Sequence, residues 1–375
     1  MRTRWKMTCL ATAMVFGVAF GMPNGSKEVM TKTVSAAEAM QETSENPVTS
    51  STWKQDEKGW QYFDESGEAL SNGEKTVDGK TYYFDENGYL ATGFHYVGKD
   101  VCYFDESGET PKDGLGVKNT SSGWKTLKGN VYYFEKGNIV SGWKTIGKKK
   151  FYFNRSEELS KRGSLLTGFQ NIGKNTYYFK GSGAYGTKGM MLTGWQTLNQ
   201  KRYYFYSNGA MAKSTYIQGY QVTSSGALSN KAFALQKKVK SVVAAQTKKC
   251  KTKSEKLKAC YMYVVKSFSY KRSYSFKKTD DWEMNYAYTM LTKKKGNCYN
   301  YASTFSFLAR ELGYNSKTIT GMITAARGGF TPHSWVEIKM GKTTYLFDTE
   351  MQHAKGYDLY KKTYKSVSKR LTYKK

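Results

Sequence analysis

Residues 123–134, GWKTLKGNVYYF, form one copy of a unit that recurs along the first part of the chain. Each copy starts at a glycine, passes through a turn such as Lys128-Gly129, and ends in a group of aromatic residues. These aromatic groups are Tyr82-Tyr83-Phe84, Tyr103-Phe104, Tyr132-Tyr133-Phe134, Phe151-Tyr152-Phe153, Tyr177-Tyr178-Phe179 and Tyr203-Tyr204-Phe205. Two short aromatic segments around a glycine turn predict a β-hairpin. Because a lone hairpin is marginal in water, hairpins repeated in series predict a stacked solenoid.

Weaker copies of the unit lie at both ends of the repeat region. The first surrounds Trp60-Gln61-Tyr62-Phe63 and the last extends from Tyr216 to Leu228, and we expect both to cap the array. The chain contains 31 Tyr, 19 Phe and 36 Gly but only 4 Pro. Disordered segments are poor in aromatic residues, so this composition excludes a disordered repeat region.

The sequence that follows the repeats has a helical pattern. Apolar residues recur at helical spacing in residues 231–249, 254–268 and 281–291. Ser254 is the expected N-cap of the second of these helices. A fourth helix is predicted to start at Cys298, with Asn297 as its N-cap and Gly313 at its end.

Cys298 is the candidate nucleophile. The first turn of a helix carries unpaired backbone N–H groups and the positive end of the helix dipole, and both stabilise a thiolate. Lys293, Lys294 and Lys295 lie just before it and favour the same charge state. A lone cysteine at a helix start is more often an inert small hydrophobe. A catalytic interpretation therefore needs a base and an orienting acid.

Two segments of alternating apolar residues, one beginning at His333 and the other ending at Asp348, predict an antiparallel hairpin. A symmetrical loop between them would pair Ile338 with Thr343, and this register places His333 directly opposite Asp348. Opposed residues have their Cβ atoms about 5 Å apart, close enough for a carboxylate–imidazole hydrogen bond. A slip by one residue would put the two on opposite faces, so the register is part of the prediction.

These three residues together predict a catalytic triad. In this hypothesis Cys298 attacks a carbonyl carbon, His333 takes and returns the proton, and Asp348 holds the imidazole. The backbone N–H of Cys298 is one expected oxyanion donor. Of the other two histidines, His95 lies in a repeat and His353 is the weaker alternative base. The predicted site uses no metal and no other cofactor.

The repeats resemble the cell-wall-binding repeats of choline-binding proteins, glucan-binding proteins and large clostridial toxins. Members of this family bind choline on teichoic acid, or glycans, and their choline sites are cages of two Trp and a Tyr. The residue before the aromatic group, Trp in such cages, is here Thr81, Val131, Thr176 or Arg202. The choline cages are therefore incomplete in this sequence, and this departure favours glycan binding over choline binding.

Three tryptophans are the candidate glycan contacts. Most aromatic residues of the repeats are expected to form the core. The tryptophans that follow the first glycine of a unit, Trp124, Trp143 and Trp195, offer an apolar face for a sugar ring and an N–H donor.

The C-terminal part resembles the transglutaminase-like superfamily, a branch of the papain-like cysteine enzymes, over about residues 254–351. The matching positions are Gly296, Cys298 and Ala302 on a helix, His333, Trp335 and Glu337 on a strand, and Asp348 on the next strand. The resemblance implies an α+β fold with the cysteine helix packed on an antiparallel sheet. It also implies metal-free hydrolysis of peptide or amide bonds, or acyl transfer to an amine. Asp348 is followed by Thr349-Glu350 rather than the frequent Pro-Thr, a departure outside the triad.

The two ends of the chain differ in charge and in hydrophobicity. Basic residues, a short apolar run and then small residues over positions 1–39 predict a secretory signal peptide. No other segment is apolar enough to span a membrane.

The net charge is +29, and residues 231–375 contain 31 Lys and Arg against 9 Asp and Glu. Such a charge favours an anionic partner, although a solvated basic surface is the alternative.

Together these patterns predict a multidomain, secreted Gram-positive surface protein. It comprises a signal peptide at 1–39, a linker at 40–52, β-hairpin repeats at 53–230 and an α+β transglutaminase-like domain at 231–375. The leading hypothesis is a peptidase, amidase or transamidase that acts on a peptide or protein substrate while its repeats bind wall glycan or teichoic acid. Hydrolysis is slightly favoured, because water is the default acceptor. A non-catalytic wall-binding adhesin with a relic domain is the alternative, and nucleic-acid binding ranks last because no such motif is present.

Overall fold

The computed structural model describes residues 50–273 and 275–375. The predicted signal peptide and most of the predicted linker lie outside the described residues. Among the described helices, none combines the length and the apolar character needed to cross a membrane.

The repeat region folds as a series of antiparallel β-hairpins, as predicted. Its strands are β1 (Thr52–Gln55), β2 (Trp60–Phe63), β3 (Gly73–Val77), β4 (Lys80–Phe84), β5 (Leu90–Ala91), β6 (Gly93–Val97), β7 (Asp100–Phe104), β8 (Gly123–Leu127), β9 (Asn130–Glu135), β10 (Asn138–Ile139), β11 (Gly142–Ile146), β12 (Lys149–Phe153), β13 (Gly168–Ile172), β14 (Asn175–Phe179), β15 (Gly194–Leu198), β16 (Lys201–Phe205), β17 (Thr215–Ile217) and β18 (Tyr220–Val222).

Most hairpin turns have two residues, which fits the glycines of the repeat, whereas the first hairpin has four between Gln55 and Trp60. In β8–β9 the pairing ends at Leu127 with Asn130, and Lys128 and Gly129 form the turn with φ of 48° and 79°. Positive φ at both central positions is the geometry that follows the twist of a hairpin, and glycine adopts it without steric cost. The turn glycine therefore fixes the register of this hairpin.

The last aromatic residue of each unit forms the core of the solenoid. Six phenylalanines in this position are fully buried: Phe84, Phe104, Phe134, Phe153, Phe179 and Phe205. Consecutive units are also joined by backbone hydrogen bonds, for example from the Leu165 N–H to the Val131 carbonyl at 2.8 Å. Stacking of units thus buries the aromatic rings and pairs the outer backbone groups, which a single hairpin could not do.

The C-terminal part is an α+β unit, also as predicted. Its elements are α1 (Asn230–Thr247), α2 (Lys253–Lys266), β19 (Ser269–Tyr270), α3 (Trp282–Lys293), β20 (Lys295–Gly296), α4 (Cys298–Glu311), β21 (Ser316–Thr324), β22 (Phe330–Met340), β23 (Thr343–Phe347), α5 (Thr349–Lys355), α6 (Tyr364–Val367) and β24 (Tyr373–Lys374). The long strands form an antiparallel sheet in the order β23-β22-β21-β24, and β19 pairs in parallel with β20. Helix α4 and this sheet share one hydrophobic core, which includes Phe305, Val336 and Phe347.

The helix ends agree with the sequence in part. Asn297 caps α4, and Gly313 follows its C-cap with a φ of +77°, as predicted. The predicted cap Ser254 is wrong, because the N-cap of α2 is Thr252. Thr252 accepts a hydrogen bond from the Glu255 N–H, and the Glu255 side chain accepts from the Thr252 N–H. This reciprocal capping box stabilises a start two residues earlier.

The predicted register of β22 and β23 is wrong by two residues. Thr343 pairs with Met340, whereas the prediction paired it with Ile338. The loop between the strands contains only Gly341 and Lys342, and Gly341 has a φ of +62°. A glycine at the first position of a two-residue loop is a favoured hairpin connection. The strands therefore continue further toward the turn than a four-residue loop would allow.

The last hairpin of the repeats packs into the core of the α+β unit. Its residues Tyr220 and Val222 belong to the same buried cluster as α1 and α4. The ring of Tyr220 lies 4.9 Å from that of Phe307, between centroids. The hairpin predicted to be a cap therefore also forms the interface between the repeats and the C-terminal unit.

Candidate active site

Cys298 is the first residue of α4 and lies at the edge of the core. Its residue surface is 7% exposed. The Asn297 side chain accepts from the Asn300 N–H at 3.4 Å, and the Asn300 side chain accepts from the Asn297 N–H at 3.0 Å. A Cβ at Gly296 would lie 2.5 Å from the Asn300 side chain, so this position needs glycine for the cap to close. The local sequence therefore holds Cys298 at a capped helix N-terminus.

His333 lies on β22 and is buried, with 3% of its surface exposed. Its Nε2 atom lies 2.7 Å from Oδ2 of Asp348. The predicted direct opposition of the two residues is wrong, because in the observed register Asp348 lies level with Trp335. A shift of two residues leaves every side chain on its original face. His333 and Asp348 therefore share a face and bond diagonally.

Asp348 is held by contacts from three directions. Its Oδ1 atom caps α5 by accepting from the Met351 N–H at 3.0 Å, and its Oδ2 atom accepts from the Tyr373 hydroxyl at 2.8 Å. The Tyr261 hydroxyl donates to the Asp348 backbone carbonyl at 2.9 Å. Because the fixed carboxylate accepts from Nε2, Nδ1 is the nitrogen of His333 that remains for another partner.

The pKa of the His333 imidazole lies well above its ordinary value. Burial alone would lower it, but the charge of Asp348 and the hydrogen bond to it outweigh that effect. A side-chain hydrogen bond with Cys298, and the charge of a Cys298 thiolate, raise the pKa further. The surroundings of His333 therefore favour the protonated imidazole.

Two residues of the site were not predicted. Glu350 is buried with its Oε2 atom 3.8 Å from Nδ1 of His333, and its pKa is raised, chiefly by burial. Tyr373 comes from the short strand β24, which pairs with β21. Burial and the charge of Asp348 raise the pKa of Tyr373, so its hydroxyl stays a hydrogen-bond donor. The departure Thr349-Glu350 from the family pattern was the available signal for Glu350, whereas nothing in the sequence indicated Tyr373.

An aromatic group packs beside the cysteine. Cys298 shares a buried cluster with Trp282 and Tyr299, and Phe276 and Tyr286 pack against it. The rings of Phe276 and Tyr299 stack face to face with centroids 3.9 Å apart. These aromatic residues shield part of the Cys298 side chain from solvent.

A possible metal-binding group overlaps the site. Within the described ranges it is formed by His333, Asp348 and Glu350, whose ligand atoms lie within 4.8 Å of one another. The same three side chains include the proposed base and its orienting carboxylate.

The three tryptophans predicted to bind glycan have different surroundings. Trp124 lines a cavity of about 390 Å³, where the Tyr185 ring lies parallel to it at 6.1 Å between centroids. Lys150 lies over the Trp143 ring at 4.5 Å. Trp195 donates to the Gln218 side chain at 3.1 Å and packs against the C-terminal core. Trp124 thus borders a space that a ligand ring could enter.

Family models match most of the repeat region and much of the C-terminal unit. The transglutaminase-like superfamily model matches residues 240–349. A choline-binding repeat model matches residues 192–224. A model described as a putative cell wall binding repeat matches residues 75–90, 122–138, 141–159 and 167–185.

Similar solved structures come from Streptococcus pneumoniae. Choline binding protein F, crystallised with a peptidoglycan analogue (a tetrasaccharide-pentapeptide), is 28% identical over 48% of this chain and 57% of its own, with a TM-score of 0.35. CbpJ is 28% identical over 47% of this chain and 57% of its own, with a TM-score of 0.34. The choline-binding domain of CbpL is 24% identical over 48% of this chain and 87% of its own, with a TM-score of 0.30.

The match to choline binding protein F covers only part of each of the two chains. The match spans 57% of the length of choline binding protein F. A comparison with curated proteins gave no match. The chain combines repeats that match choline-binding and cell-wall-binding repeat models with a C-terminal domain that matches the transglutaminase-like superfamily.

Proposed function

We propose that the protein is a secreted cysteine enzyme held at the bacterial cell wall, where Cys298, His333 and Asp348 act on peptide or amide bonds. The observation that carries this proposal is the 2.7 Å bond between His333 Nε2 and Asp348 Oδ2. Cys298 lies close enough to His333 to raise the pKa of the imidazole, and this proximity supports the assignment of nucleophile, base and orienting acid. The match to the transglutaminase-like superfamily over residues 240–349 supports it.

In the first half of the reaction, the Cys298 thiolate attacks the carbonyl carbon of an amide and forms a C–S bond. The C–N bond breaks, and the proton on His333 leaves with the amine. The backbone N–H of Cys298 stabilises the oxyanion of the tetrahedral intermediate. Asp348 keeps the imidazolium oriented through both steps.

In the second half, an acceptor attacks the thioester and gives its proton to His333. The C–S bond breaks and the thiolate is restored. Water as the acceptor gives a peptidase or amidase, and an amine gives a transamidase. We favour hydrolysis, because water is always present. The chain's own residues provide every proton transfer, so we propose that no metal or cofactor takes part.

We propose that the repeats over residues 53–230 bind wall glycan and that residues 231–375 form the enzyme domain. The matches to cell-wall-binding repeat models support this assignment. Trp124, Trp143 and Trp195 are the proposed contacts, and Trp124 has the strongest support because it borders a cavity with a second aromatic ring. A sugar ring packs well on such a face.

The experiment that tests the function uses the full chain, purified wall fractions and a fluorescent primary amine. Hydrolysis releases new amino groups from wall peptides, and transfer incorporates the label into them. Both products must be absent with Cys298→Ala. If the wild-type chain gives neither product on wall peptides or on glutamine-containing peptides, the non-catalytic adhesin becomes the better interpretation.

A further inference from the structure

A cavity of about 810 Å³ opens next to the proposed nucleophile. Its lining includes residues 271–273, four residues of α3 between Asn285 and Lys293, and Gly296 and Asn297 immediately before Cys298. Tyr286 belongs to this lining and also to the aromatic group that packs beside Cys298. The cavity therefore lies beside the helix start that carries Cys298. We call it the basic cleft.

Four basic residues line the basic cleft. Lys271, Lys293 and Lys295 all contribute to its walls, together with Arg272, and the lining contains no Asp or Glu among the described residues. All three lysines are exposed. Within the described part of the chain, none of them forms an ion pair. A concave surface with several cations and no carboxylate attracts an anion.

Asn297 adds a buried donor to the cleft. It is 4% exposed, and its side-chain oxygen accepts from the Asn300 N–H. The Asn300 amide donates instead to the Tyr286 carbonyl at 2.9 Å. Asn297 lines the cleft, so its amide NH₂ group can donate a hydrogen bond to a ligand oxygen there.

From these observations we infer that the basic cleft binds a carboxylate of the acyl donor, so that the enzyme acts on an acidic peptide. The inference rests on the proposed function and names its substrate class. The bond that reacts is an amide, and the anions nearest to an amide in a peptide are Asp or Glu side chains and a free C-terminal carboxylate. Lysine ammonium groups and an amide donor together suit such a group.

Iodoacetate and iodoacetamide test this inference, because they alkylate the same sulfur but differ by one negative charge. The ratio of their rates at Cys298 is measured by site-resolved mass spectrometry on the full chain at low ionic strength. Two variants with equal loss of charge are compared. The cleft variant carries Lys271→Gln, Lys293→Gln and Lys295→Gln, and the control variant carries Lys248→Gln, Lys249→Gln and Lys251→Gln, three exposed lysines outside the cleft.

We expect the iodoacetate-to-iodoacetamide ratio to fall by about 3- to 10-fold in the cleft variant at low salt, and to change less than 2-fold in the control variant. The same ratio in both variants would overturn the inference. Slow alkylation of Cys298 by both reagents would contradict the proposed function, but the ratio would still be measurable. The two failures are therefore distinguishable.

Protection of Cys298 identifies the source of the anion. A triglutamate peptide should slow alkylation by iodoacetamide in the wild-type chain, whereas a triglutamine peptide should not, and the cleft variant should lose this protection. Inorganic phosphate at the same concentration is the third probe. Equal protection by phosphate, or by triglutamine, would overturn the assignment to an acidic peptide.

Discussion

His333 and Asp348 are joined by a 2.7 Å hydrogen bond, although they lie two positions out of register on neighbouring strands. The bond is possible because Asp348 stands at the start of α5, where it also caps the helix. Tyr373 donates to the same Oδ2 atom. The carboxylate is thus positioned by a helix, a strand and the C-terminal segment, and the imidazole depends on all three.

Replacement of Asp348 by Asn should abolish most of the activity while the fold is kept. Asn is as good an N-cap as Asp, so α5 should remain. An amide cannot stabilise the imidazolium and favours the wrong tautomer, and we expect a loss of about 10³- to 10⁴-fold in turnover of wall peptides. Asp358→Asn is the matched control, because Asp358 is an exposed carboxylate that pairs with the nearby Lys362. Retention of more than a tenth of the activity in Asp348→Asn would contradict the role of this carboxylate.

Tyr373→Phe should weaken the site by a smaller amount. The change removes only the hydroxyl that donates to Asp348, and one hydrogen bond contributes about 0.5–1.5 kcal/mol, or about 2- to 12-fold in rate. The alkaline limb of the pH–rate profile should also move, because Asp348, whose carboxylate stabilises the His333 proton, loses the hydrogen bond from Tyr373. Tyr364→Phe, which changes another half-buried tyrosine of the C-terminal segment, should leave that limb in place. A profile identical to wild type would exclude a positioning role for Tyr373.

The stability of the folded chain should depend on the ionisation of His333. Its pKa is held well above 6.5, because the charge and hydrogen bond of Asp348 outweigh the opposing effect of burial. The folded state therefore binds this proton more tightly than the unfolded chain does. The stabilisation that the His333 proton provides is fully present below pH 6.5 and is lost as the pH rises through the raised pKa of His333 in the folded state. Urea unfolding of wild type and His333→Gln should show their difference in unfolding free energy shrinking above pH 6.5; a constant difference would contradict this account.

Phe153→Ala should destabilise the repeat array. Phe153 is fully buried between consecutive hairpins, and removal of such a ring costs about 3–5 kcal/mol. Phe169 is the matched control, because 40% of its surface is exposed and Phe169→Ala should cost about 1 kcal/mol. Denaturant unfolding followed by near-ultraviolet circular dichroism measures both. Equal losses would show that the stacking of rings between units is not the main source of stability.

Trp124→Ala should weaken binding of the full chain to purified wall fractions by about 5-fold or more, because an aromatic contact in a cavity contributes at least 1 kcal/mol. Tyr96→Ala, which removes an exposed ring from another hairpin, should have little effect. A pull-down at constant ionic strength separates this contact from the charge of the C-terminal domain. Unchanged binding by Trp124→Ala would remove this residue from the proposed glycan site.

The fold was predictable where local chemistry decides it. The glycine turns and aromatic groups determine the hairpins, and Asn297 and Gly313 mark the ends of the cysteine helix. The register of β22 and β23 was not predictable from the apolar alternation, because a shift by two residues leaves the pattern unchanged. Only the length of the loop at Gly341 separates the two registers.

The site was predictable only in its three central residues. The residue types of Cys298, His333 and Asp348, and their predicted places at a helix start and on two strands, indicated cysteine-based catalysis. Tyr373 was missed because a two-residue strand in a lysine- and tyrosine-rich tail has no periodicity. The basic cleft was missed because Lys271 and Lys293 come together only when β19 pairs in parallel with β20.

The most direct measurement is the rate at which iodoacetamide alkylates Cys298 in the wild-type chain and in His333→Gln, resolved from the other thiols by mass spectrometry. Cys250, a partly exposed free cysteine, is the internal reference. The account predicts that Cys298 reacts faster than Cys250 near neutral pH, although it is more buried, and that its rate falls by about 10- to 100-fold without the imidazole. Equal rates of Cys298 alkylation in the two proteins would contradict the triad.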